Sequence, residues 1–194
     1  RYLLRQKLTM MVNRYEIVRQ DESGNELGLL CFAEQKRVAA KEQVTFYTDS
    51  AKTHPLFGFK ARKRIDLRST YDVTDSQGQP IGWFKKQFKA SLVNSTWTLG
   101  LPDGREFVGR ERNAKVAVAR RVWELVPVIG EIPVPFLFHF DFVAPDGSLA
   151  LSSTKKASVK DVYHVTLPAL GDGRPMDWRV GMSMAVALDA LQSR

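Results

Sequence analysis

The side chains best able to do chemistry in this chain are three histidines, a scatter of carboxylates and one run of cations. The histidines are dispersed: His54 falls in a turn, while His139 and His164 fall in two separate strand-like stretches. None lies in an HExxH, GxSxG or P-loop context. His139 and Asp141, two apart, share a strand face and are expected to form an ordered pair, but no nucleophile is placed beside them. Asp66, Asp72 and Asp161 read as turn or strand-edge carboxylates paired with the abundant arginines. No metal-ligand spacing emerges, and the lone Cys31 excludes a disulfide framework and a cysteine zinc site. These residues predict a protein that is not an enzyme and holds no cofactor or metal.

The cations form the stronger signal. Lys60-Ala-Arg62-Lys63-Arg64 closes a strand-like stretch, where Lys60, Arg62 and Arg64 point the same way at intervals of about 7 Å. Lys85, Lys86 and Lys89 follow on the next hairpin. Together these six are the candidate lipid-binding residues, the chemistry being charge attraction to anionic headgroups. The other reading is a solvated barrel exterior, which charged residues occupy in any case. The whole chain carries 29 Lys and Arg against 21 Asp and Glu, a formal +8, which favours an anionic partner. Nucleic acid fits poorly, because exposed aromatics are not interleaved with the cations and no groove-reading helix is evident. The single cysteine and the absence of a visible signal-peptide pattern point to a reducing, cytoplasmic location, to which lipid binding by these cations would add a peripheral membrane role.

The elements that must carry these residues are mostly strands. A length of 194 residues with 44% hydrophobic content supports a single domain over 1–194 with a substantial core. Strands are predicted at Leu3–Met11, Arg14–Gln20, Leu27–Glu34, Val44–Asp49, Leu56–Ile65, Tyr71–Asp75 and Val162–Leu167, among about twelve in all. Asp21-x-x-Gly24-x-x-x-Gly28 and Asp75-x-x-Gly78-x-x-x-Gly82 share one spacing, which marks a hairpin repeat. Asp103-Gly104 and Asp146-Gly147 mark two further hairpins. Before the second, Phe136, Phe138, Phe140 and Phe142 share one face, while Leu137, His139, Asp141 and Val143 share the other. One segment breaks the pattern. Asn113–Val126 has Val116, Ala119 and Val126 at helical spacing and is predicted to be a helix lying in a connection, stopped by Pro127.

The run from Met176 to the end of the chain organises the rest. It is predicted helical over about 176–193, and between Val180 and Leu188 apolar side chains cover every face, with Ser183 the one polar interruption. Arg179 and Asp189 bracket a run too short to span a membrane. Ser183 is expected to bond back to the Arg179 carbonyl. A closed sheet of about twelve strands is too wide to be filled by its own side chains. A helix of about eighteen residues, roughly 27 Å long, would fill it, and Met176, Met182 and Met184 would take up irregular gaps. The expected fold is mainly β: a twelve-stranded closed antiparallel barrel enclosing a buried hydrophobic C-terminal helix, with one further helix in a connection.

The YDVTD..G..IG..F.K hairpin, the SLVNSTW strand, the FHFDF..PDG hairpin and the final MDWRVGMSMAVALDAL helix together resemble the LURP-one-related proteins. The resemblance covers nearly the whole chain. It implies the fold of the tubby carboxy-terminal domain and the phospholipid scramblases, a twelve-stranded barrel around a hydrophobic carboxy-terminal helix. It also implies binding of anionic phospholipid. The acidic calcium segment and the membrane-spanning tail of a scramblase are absent from this sequence, so calcium and scrambling are not implied, and the tubby basic motif has no match here residue by residue. A protein-interaction scaffold is the alternative function.

Overall fold

The structure, a computed structural model, describes residues 1–8, 12–36, 42–63, 70–87, 96–112, 139–156 and 161–192. Its strands are β1 (Tyr2–Leu8), β2 (Val12–Gln20), β3 (Glu26–Lys36), β4 (Gln43–Tyr47), β5 (Pro55–Ala61), β6 (Thr70–Asp75), β7 (Pro80–Lys86), β8 (Thr96–Gly100), β9 (Glu106–Glu111), β10 (His139–Val143), β11 (Leu149–Lys155) and β12 (Val162–Thr166). They form one closed ring in which every neighbour is antiparallel and β1 pairs with both β2 and β12. One helix, α1 (Trp178–Gln192), packs against this barrel. The predicted helix at Asn113–Val126 lies outside the described residues, as do the ends of the predicted strands Leu3–Met11 and Leu56–Ile65.

Turn chemistry closes the hairpins as the sequence requires. In Leu101-Pro-Asp-Gly104 and Ala144-Pro-Asp-Gly147 the glycine N–H donates to the first carbonyl at 3.1 and 2.9 Å, with glycine φ of 87° and 84°. Proline fixes the first corner, and glycine alone accepts the positive φ at low cost. The repeat folds as a repeat. Asp21 accepts the Asn25 N–H at 2.8 Å, and Asp75 accepts the Gln77 and Gln79 N–H groups at 2.9 Å.

Alternation then decides what is buried. On β10, Phe140 and Phe142 are buried while His139 and Asp141 are only partly covered and Val143 is exposed; Phe136 and Phe138 lie outside the described residues. Rings from successive strands meet inside: Phe46 stacks on Phe57 at 4.2 Å, Tyr71 on Phe84 at 5.1 Å, and Trp178 of the helix meets Phe57 edge-on at 5.3 Å. Such offset and edge contacts add to the area they bury.

The helix starts two residues later than predicted. Asp177 caps it, its Oδ1 accepting the Arg179 N–H at 2.9 Å, and a capping residue must itself stay outside the helical conformation. Every residue from Val180 to Leu188 is buried. The wall meets α1 from both halves of the ring: a Cβ on Gly82 of β7 would lie 2.9 Å from Val180, and one on Gly181 would lie 3.5 Å from Leu151 of β11. Ser183 departs from expectation. Its hydroxyl is buried and has no hydrogen-bond partner among the described residues, so the predicted bond to the Arg179 carbonyl is not made.

At the far end of α1 the apolar core gives way to a polar layer. Asp189 accepts hydrogen bonds from Tyr15 at 2.9 Å and from Tyr163, and Asn13 donates to Gln35 at 2.8 Å. Burial pushes the Asp189 carboxyl above its ordinary range, outweighing the two tyrosine hydroxyls that favour its charged form.

Candidate functional site

The predicted cations are carried by β5 and β7, with β6 between them. On β5, Phe57 and Phe59 point inward, which turns Leu56, Gly58 and Lys60 outward. The register sets Lys60 opposite Asp72 and Asp72 opposite Trp83, while Thr70 faces Lys85. Arg62, just past the end of β5, lies on the same outer side. Lys60, Arg62 and Lys85 therefore gather on one face, with Lys60 and Lys85 about 12 Å apart from two strand spacings and a two-residue offset.

The three are not equivalent. Arg62 grips Asp72 bidentately, its Nε 2.9 and 3.0 Å and its Nη2 2.7 Å from the carboxylate oxygens. That pairing holds the guanidinium above its usual pKa, against a smaller opposing effect of desolvation. No ion pair among the described residues involves Lys60 or Lys85, and both are exposed. Lys86 points to the opposite side of β7, its Nζ 5.8 Å from the centre of the Trp97 ring. Arg64 and Lys89 lie outside the described residues.

Beside Lys60 the barrel wall has a cleft of about 200 Å³, lined by Gln43, Thr45, Gly58, Lys60, Thr74 and Asp75 among others. Gly58 keeps its floor flat. A Cβ there would lie 2.7 Å from the Val44 carbonyl oxygen, so the glycine reflects close approach of two strands. Sequence reasoning missed this cleft, although the glycine inside the apolar LFGFK stretch was its signal. Amide and hydroxyl donors with one ammonium at the rim can hydrogen-bond phosphate oxygens, offset by the Asp75 carboxylate, whose Oδ1 is already taken by the Gln77 and Gln79 N–H groups.

The other candidates resolve into structural roles. Asp141 does not pair with His139. Arg112 takes it at 2.7 Å to each oxygen, because Arg112, just past the end of the neighbouring β9, reaches across to it while His139 sits two residues along the same strand. The Arg112 guanidinium holds the Asp141 carboxyl below its usual range, and burial lowers His139. His139 and His164 flank Thr154 on the outer face, and His54 stays in its turn beside Thr53 at 3.0 Å. Asp161 pairs with Lys155 at 2.6 Å rather than with an arginine, and Asp66 lies outside the described residues. Among the described residues, no group of three His, Cys, Asp or Glu side chains could hold a metal ion, and no helix is long and apolar enough to cross a membrane.

Compared with known proteins, residues 29–189 match the family model described as LURP-one-related. No curated protein and no solved structure matches the chain.

Proposed function

The chain belongs to the LURP-one-related family, and from that premise we propose that it is a non-catalytic, tubby-like module that holds anionic phospholipid headgroups on the outer face of β5–β7. The observation that carries the reading is the grouping of Lys60, Arg62 and Lys85 on one outer face of β5–β7, on the side of β6 that faces away from the core, with Lys60 also lining the Gly58-floored cleft. Near an anionic surface each basic residue contributes on the order of 1 kcal/mol. Asp72 offsets part of that sum through Arg62, so binding is weak, reversible and sensitive to salt, as suits a peripheral protein on the cytoplasmic face of a membrane.

Co-sedimentation with vesicles tests it. Phosphatidylcholine vesicles containing phosphatidylserine or a phosphoinositide should retain the protein at low ionic strength and release it near physiological salt, where charges are screened over about 8 Å. Pure phosphatidylcholine should retain little. No retention by anionic vesicles at low salt would end the lipid reading. The protein-interaction reading would then lead, favoured by the exposed Leu27, Leu29, Val108, Val143 and Leu149.

A further inference from the structure

On the half of the barrel away from Lys60, β9, β10 and β11 break the rule that outward positions are polar. Val108, Val143 and Leu149 all point outward and stay 38%, 38% and 37% exposed. The register sets Val143 opposite both Val108 and Leu149, so the three form one continuous apolar strip across three strands. Each is one residue from the lining of a cleft of about 540 Å³ formed where the β8–β9 and β10–β11 turns meet the segment leading into α1. The floor of that cleft is apolar, with Phe107 1% and Leu170 9% exposed. Its rim is acidic: Glu106, Asp146 and Asp172 line it, and Arg105, the one cation there, is held by Asp103 at 2.7 Å and Asp172 at 3.2 Å. Three carboxylates against one guanidinium in the lining give this spot a formal −2 in a chain of +8.

We infer that the cleft and the Val108–Val143–Leu149 strip form a docking site for a protein segment that carries lysine or arginine beside an apolar residue. Charge selects the occupant, since an anionic headgroup is repelled by Glu106, Asp146 and Asp172, whereas a cationic side chain is attracted. Asp146 has an oxygen to offer it: Oδ1 takes the Ser148 N–H and hydroxyl, at 2.8 and 2.7 Å, and Oδ2 lies on the Gly171 side of the cleft. Extent selects a polypeptide, because the apolar strip runs beyond the cleft over three strands and a ligand confined to the cleft would leave it uncovered. The inference is independent of the lipid reading, whose residues lie on β5–β7.

The test uses the full chain and three fluorescein-labelled peptides of equal length, alternating Leu with Arg, Leu with Glu, and Ser with Arg, followed by anisotropy and by methyl resonances. The Leu–Arg peptide should bind saturably below about 1 mM and shift the methyls of Val108, Val143 and Leu149. Glu106→Lys, and separately Val143→Thr with Leu149→Ser, should each weaken it about tenfold, with unchanged melting behaviour. Lys60→Gln with Lys85→Gln should leave it unaltered. Equal binding of the Ser–Arg or Leu–Glu peptide, shifts confined to other residues, or no saturation would overturn the proposal. So would a concentration-dependent dimer abolished by Val143→Thr and Leu149→Ser, which would make a second copy of the chain the occupant.

Discussion

Arg62 and Asp72 face each other across β5 and β6 as a bidentate pair, with both partners about half-exposed, so the most basic stretch of the sequence carries its own counter-charge. Asp72→Asn removes that counter-charge and leaves Arg62 able to meet a headgroup. Anionic-vesicle affinity should then rise by about 1 kcal/mol, roughly fivefold, while Lys60→Gln with Lys85→Gln lowers it by about 2 kcal/mol. Co-sedimentation titrations at fixed salt measure both, and unchanged affinity in Asp72→Asn would argue against this face as the contact surface.

Gly82 of β7 and Val180 of α1 are fitted to each other, since a Cβ at Gly82 would stand 2.9 and 3.0 Å from the two Val180 methyls. Gly82→Ala should therefore cost about 1–3 kcal/mol by overpacking. Adding Val180→Ala should return part of that loss, a coupling visible in a double-mutant cycle by denaturant unfolding. Strictly additive effects would show that the clash is relieved elsewhere.

Ser183 buries a hydroxyl in the middle of α1 that has no partner among the described residues. Ser183→Ala removes the unsatisfied group and substitutes a better helix former, so unfolding free energy should rise by about 1 kcal/mol. A destabilised Ser183→Ala variant in a chemical melt would mean that the hydroxyl is satisfied in solution.

Burial raises the Asp189 carboxyl above its unfolded value of 3.8, so the folded chain holds this proton more tightly than the unfolded chain. Its favourable contribution is complete below that value and is lost as pH rises through the raised one. Lys155 and Asp161 also act on the group, the first lowering and the second raising it. Asp189→Asn stays neutral and still offers an oxygen to a tyrosine hydroxyl. It should be more stable than wild type at neutral pH and level with it in acid, where Asp103 and Asp141, both lowered by arginine partners, weaken the two proteins alike. Thermal melts across pH decide this, and a difference that does not vary with pH would assign the effect to something other than the proton.

Much of the fold was legible because it is written in short-range periodicity. The period of two put Phe140 and Phe142 inside and Val143 outside, Asp-Gly pairs marked the tight turns, and the unbroken apolar run from Val180 to Leu188 required cover on every side. The start of α1 was misread, because the cap at Asp177 depends on which residue leaves the helical conformation first, and so was the Ser183 bond to the Arg179 carbonyl.

The candidate sites were less legible because charge pairing and clefts depend on partners far apart in sequence. That Lys85 and Lys86 face opposite ways follows from period two alone, but the capture of Arg62 by Asp72 and of Asp141 by Arg112 required the register between strands. The acidic cleft joins Glu106 at the start of β9 with Asp146 of the β10–β11 turn and Asp172 of the segment before α1, and the apolar strip joins single residues of β9, β10 and β11, each of which is unremarkable in its own strand. Sequence determined which side chains could point outward; closure of the ring decided which of them became neighbours, because strand pairing fixes distances of a few ångströms between residues that the chain itself leaves tens of positions apart.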